Sequence, residues 1–82
     1  MLTHTIKTNN HPFGIPKTVI GFTNVAIGSQ LLTMGIKHGA LLEVVRKAPF
    51  GGGYYCKIDN INFIGLRTQE LDCILTESVN IL

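Results

Sequence analysis

Residues 23–36, TNVAIGSQLLTMGI, hold the reading on which the fold turns. Thr23 or Asn24 can accept a backbone N–H bond and so start a helix. Ile27, Leu31 and Met34 follow at i, i+4 and i+7, which places them on one helical face. Gly28 weakens that helix by about 1 kcal/mol relative to alanine. Gly35 then falls at C′, where a positive φ is cheap only without a Cβ. Ile36 becomes C″ and is placed to touch Leu31 at C3, the apolar contact of a Schellman ending. No other local structure in the chain is so sharply specified.

Upstream, Lys17 to Phe22 (KTVIGF) is β-branched and aromatic and predicts a first strand. Met1 to Pro16 is mostly polar and carries two X-Pro junctions. Residues 1–12 are expected to be a loosely held tail and 13–82 the folded domain, with Phe13 and Ile15 packing back around a bend at Gly14.

Downstream, Lys37-His38-Gly39 turns the chain into a strand from Ala40 to Lys47. Strict alternation puts Leu42, Val44 and Arg46 on one side and Leu41, Glu43 and Val45 on the other. Ala48-Pro49-Phe50 and the glycines 51–53 end it, in a wide or bulged and flexible reversal. Tyr54 to Ile58 is the next strand, with Tyr54, Cys56 and Ile58 facing together. Asp59-Asn60 suits a two-residue hairpin, because both residues tolerate the left-handed region. Ile61 to Leu66 returns as a strand, Arg67 to Cys73 reads as one helical turn with Thr68 as cap, and Ile74 to Thr76 closes the set. Val79 to Leu82 is a small apolar end. Five short strands with tight connections predict a mainly β protein, a small closed SH3-like barrel with one helix inserted after the first strand.

Composition limits what such a barrel can do. The chain has 82 residues, 45% of them hydrophobic and only 15% charged, with a mean hydropathy of +0.29. About 60% of the chain's surface is buried at this size, enough for one modest core. A disordered chain is excluded, and so sparse a charge suggests that a partner covers part of the surface. Net charge is +2 and the basic residues are scattered, which argues against nucleic acid. Cys56 and Cys73 make neither a disulfide framework nor a zinc pattern. With no basic region leading into an apolar run at the N-terminus, no secretory signal is expected, and the reducing cytoplasm is the default. Residues 18–36 are uncharged, but Thr18, Thr23, Asn24, Ser29, Gln30, Thr33 and three glycines break the run expected of a membrane span.

Candidate sites are few. Gly51-Gly52-Gly53 lacks the lysine and following helix of a phosphate loop. The histidines His4, His11 and His38 are dispersed, Cys56 reads as a buried apolar thiol, and no metal ligands or cofactor are expected. Neither Ser29 nor Ser78 has a histidine and an acid in register, so an enzyme is not expected. Apolar and aromatic residues remain: Leu32 and Met34 near the helix end, Phe50, Tyr54 and Tyr55 at the glycine loop. Leu32, Met34, Phe50 and Tyr54 are the candidate partner-binding residues, and Gly35, Gly39 and Gly51 the structural turns.

The run from Leu31 through Met34-Gly35-Ile36-Lys37-His38-Gly39, followed by Glu43-Val44-Val45-Arg46-Lys47-Ala48-Pro49-Phe50-Gly51, resembles the FeoA family of bacterial ferrous iron uptake. Leu66-Arg67 followed by Glu70-Leu71 matches that family's short acidic helical turn. The likeness spans residues 17–77. His38-Gly39 stands where the family has Pro-Gly, and Gly51-Gly52-Gly53 where it has Gly-Asp-Pro, which loosens both turns. The interval from Gly53 to Arg67 is about one residue longer than usual, consistent with a longer hairpin or a bulge.

The resemblance implies an SH3-like barrel without an active site. It further implies an accessory role with FeoB, a membrane transporter that has a cytoplasmic GTP-binding domain. The protein would then be cytoplasmic, reaching the inner face of the membrane only through that partner, with self-association left open. Two alternatives are a relative of the barrel domain of metal-dependent repressors, and a factor that binds iron or modulates the GTPase. The first expects a DNA-binding helix-turn-helix, which the sixteen N-terminal residues do not accommodate. For the second, Arg46 or Arg67 would supply the arginine that stabilises phosphoryl transfer.

Overall fold

The β-branched and aromatic run at the start of the domain forms β1, Lys17–Phe22, and Asn24 then starts helix α1, Val25–Thr33. The computed structural model describes residues 11–78, with the side chain of Phe50 outside that description. The predicted tail up to residue 10 and the apolar end 79–82 also lie outside it. After α1 come β2 (Leu41–Lys47), a single 3-10 turn (Pro49–Gly51), β3 (Tyr54–Ile58), β4 (Asn62–Leu66), helix α2 (Thr68–Asp72) and β5 (Ile74–Ser78). The five strands form one antiparallel sheet in the order β4-β3-β2-β1-β5.

Both ends of α1 are capped. The Asn24 side chain accepts a bond from the Ile27 N–H at 2.9 Å. At the other end the Ile36 N–H donates to the Leu31 carbonyl and the Gly35 N–H to the Leu32 carbonyl, each at 3.1 Å. These two bonds make a complete Schellman motif. Leu31 and Ile36 are both fully buried. Met34 departs from the expected face: it is the C-cap, with φ −94° and ψ 3°, and stands exposed. The buried stripe of α1 is Gly28 and Leu31, flanked by half-buried Ile27. Gly28 has a packing reason, because a Cβ there would come within 3.1 Å of the Phe22 ring.

One hydrophobic core takes residues from every element: Val19 of β1, Leu31 of α1, Leu42 and Val44 of β2, Cys56 and Ile58 of β3, Leu66 of β4, Leu71 of α2 and Ile74 of β5. Five strands and both helices contribute to this one core, giving an SH3-like, roughly barrel-like arrangement. Full closure does not occur. Among the described residues β4 pairs only with β3, and β5 only with β1. The chain instead crosses from β4 to β5 through α2, whose Leu71 enters the core.

Two bulges depart from strict alternation. In β2, Val44 pairs with Cys56 but Arg46 pairs with Tyr55, so Val45 is the extra residue. Arg46 therefore faces outward instead of sharing a side with Leu42 and Val44, and is exposed. The second bulge lies between Val19 and Gly21, against β5. At the β3–β4 hairpin Asp59 and Asn60 take φ of 52° and 64°, in the left-handed region that both residues tolerate. Ile58 pairs with Asn62, so the loop has three residues instead of the expected two, and Ile61 falls outside the ladder at 74% exposure. Helix α2 lies within the predicted span of Arg67 to Cys73, but its cap differs. Arg67, not Thr68, is its N-cap, held by its own N–H donating to the Glu70 carboxylate at 2.8 Å.

Candidate binding surfaces

The apolar residues singled out from the sequence stand at two ends of β2. Helix α1 delivers the chain to the start of that strand, and Leu32 and Met34 project there, 51% and 36% exposed. The Schellman bonds fix their backbone, so this small apolar surface is held in place by the helix end itself. Tyr54 pairs with Lys47 at the far end of β2, about 20 Å of strand away. The structure does not gather the candidates at one end.

The N-terminal segment already occupies Tyr54. The His11 ring meets the Tyr54 ring edge-on at 5.4 Å, and Phe13 lies against it at 6.5 Å. His11 Nε2 is also 2.7 Å from Asp72 Oδ1 on α2, and the Gly14 N–H donates to the Val44 carbonyl at the β2 bulge. Residues 11–14 thus cross the end of the barrel as a strap. The dispersed histidines gave no hint of this, because His11 and Asp72 are 61 residues apart.

The glycine loop is less open than expected. Pro49–Gly51 makes its 3-10 turn, and the Ala48 N–H donates to the Gly53 carbonyl at 2.8 Å. Gly35, Gly39 and Gly51 all have positive φ. Gly53, which sequence reasoning passed over, is more constrained: it is buried with φ +108°, and a Cβ would strike the Leu66 carbonyl oxygen. The backbone of Phe50 lies within this 3-10 turn.

A third surface is the outer face of β2, β3 and β4. Arg46 stacks over the Tyr55 ring at 4.5 Å, and Lys57 lies 5.8 Å from the Phe63 ring and 3.8 Å from Glu43. Arg46 is therefore engaged with Tyr55, while Arg67 is exposed.

Among the described residues no group of three or more His, Cys, Asp or Glu is placed to hold a metal ion. Cys56 and Cys73 are free thiols. Burial pushes the Cys56 thiol up from 9.0 to about 11, which keeps it protonated and unreactive at neutral pH. No described helix is long and apolar enough to cross a membrane.

The fold and these surfaces define a small SH3-like barrel of the kind that presents binding faces around a filled core. The family model of the FeoA domain matches residues 15–78, and the chain belongs to the FeoA family. Solved structures agree. Iron(II) transport protein A from Clostridium thermocellum superposes with a TM-score of 0.75 at 32% identity, over 90% of this chain and 46% of that one. This chain therefore spans about half the length of that protein. A FeoA-like protein from Clostridium acetobutylicum gives a TM-score of 0.80 at 24% identity, covering 99% and 94% of the two chains. FeoA from Chlorobium tepidum gives 0.75 at 22%, covering 92% and 71%. These last two bear on the fold alone. No curated protein matches the chain.

Proposed function

We propose that this chain is a non-catalytic accessory protein of ferrous iron uptake. It acts in the cytoplasm by binding the cytoplasmic part of a FeoB-type membrane transporter, and supports that transporter's assembly or regulation. Membership of the FeoA family supports the pathway, as does the likeness to an iron(II) transport protein A. The observation that carries the docking surface is the exposed pair Leu32 and Met34 on a helix end locked by two backbone bonds. With the backbone already fixed, binding orders only the two side chains, which favours this pair over an equal area on a mobile loop.

Tyr54 belongs at most to a second contact, since His11 and Phe13 already pack on it. Capture on the transporter's immobilised cytoplasmic domain tests the assignment. Leu32→Asp and Met34→Asp, both at exposed positions, should keep the far-UV circular dichroism of the parent and weaken capture by about tenfold or more. Undiminished capture of both folded variants would refute the surface.

A further inference from the structure

We infer that β4 is a self-association edge, along which a second copy of this chain adds its own β4 in antiparallel register about a two-fold axis at Ile64. Strand β4 lies at one end of the sheet and pairs only with β3 among the described residues. Sheet edges left free are ordinarily protected by charge, proline or a bulge. The sequence NFIGL has no charged residue and no proline, and its five pairs with β3 run without a register shift. The opposite edge is different. Strand β5 carries exposed Glu77, and its ladder with β1 is broken by a bulge.

The occupant follows from self-complementarity. A two-fold axis at Ile64 is the one register that pairs all five residues of β4 with their counterparts: 62 with 66, 63 with 65, and 64 with itself. Phe63, 68% exposed, then falls opposite Gly65 of the second copy. Gly65 is exposed, and a Cβ placed on it would meet nothing within 4 Å. An aromatic ring laid across a strand glycine covers the backbone that the glycine leaves bare. Tyr55, the partner of Gly65 across β3–β4, flanks the same notch, and the symmetry fills both notches at once.

The charges also fit. Arg67, one residue beyond β4, comes opposite Ile61 of the second copy, beside that copy's Asp59-Asn60 turn. Lys57 and Arg46 lie one and two strands back, on Phe63 and Tyr55, so no like charges meet across the axis. The junction is only five residues long and falls below about 1,200 Å², at the weak end of specific interfaces, so the dimer is concentration-dependent.

Sedimentation equilibrium over about a hundredfold range of concentration tests this, since mass action must then shift the population. The apparent mass should climb from 9.0 kDa toward twice that value, and amide exchange at Phe63–Gly65 should slow in parallel. Gly65→Lys builds into open space, and Phe63→Glu changes an exposed side chain. Both should fold as the parent does and stay monomeric at every concentration. A parent chain monomeric at its highest attainable concentration overturns the inference, as does a dimer that survives in both folded variants. Protection of the β4 amides that appears only on adding a different protein assigns the edge to that protein and overturns the second copy as occupant.

Discussion

At the start of β2 the chain arrives through Gly35 and Gly39, with φ of +92° and +93°, and a Cβ at either would meet nothing within 4 Å. At the far end it leaves through Gly53, with φ +108°, where a Cβ would strike the Leu66 carbonyl oxygen and come within 2.9 Å of Arg67 Cα. The first pair answers a purely local demand, since the backbone must turn left and solvent lies beside it. Gly53 answers a second demand as well, because β4 passes so close that no side chain fits between. Glycines of like dihedral angle are thus held by different forces, one conformational and one steric.

Substitution separates the two. Gly53→Ala combines overpacking with an unfavourable φ and should cost about 3–5 kcal/mol. A marginal domain would then lose most of its cooperative urea transition. A midpoint close to the parent's would mean that β4 can withdraw, and the contrast between the two ends would collapse.

Cys56, in the core between those ends, gives a smaller and pH-dependent effect. Its folded value lies at about 11 against 9.0 for the free thiol. Below pH 9 both states are protonated and stability is unaffected. Between pH 9 and 11 the unfolded chain releases a proton that the folded chain retains, so stability falls as pH rises, by about 1–3 kcal/mol in total. Urea titrations of the parent and Cys56→Ala across that window should converge as the parent loses this contribution. Parallel curves would show that the core admits the thiolate.

The smallest effect is expected from Gly35→Ala. Only the left-handed φ is penalised there, for about 1–2 kcal/mol, and the urea midpoint should shift accordingly. A loss as large as that of Gly53→Ala would place a hidden contact at the helix end.

The same contrast explains what was legible in the sequence. The cap at Asn24 and the Schellman ending are written in neighbouring residues and have the expected geometry; Asp59-Asn60 takes the expected left-handed dihedrals, but in a loop of three residues instead of two. The bulge at Val45 is not so written, since it depends on how β2 meets β3, and alternation alone put Arg46 on the side of Leu42 and Val44. Met34 does not share the face of Ile27 and Leu31, because carrying the 3.6-residue period to it runs one position past the end of the helix. Sheet closure was overextended for a related reason. Strand count suggests a barrel, but only the placement of Leu71 shows that a helical turn fills the gap between β4 and β5. At the candidate surfaces, the exposure of Leu32 could be inferred from its place off the stripe. The packing of His11 on Tyr54 and Asp72 could not, because neither partner lies near it in the chain.

The His11–Asp72 fastening joins positions 61 residues apart, and closing so long a loop is entropically costly unless the sheet has already brought its ends together. Its closure therefore costs least once the sheet and α2 are in place. The strap works as a latch across an open-edged sheet, tying the segment before β1 to the helical turn that bridges β4 and β5.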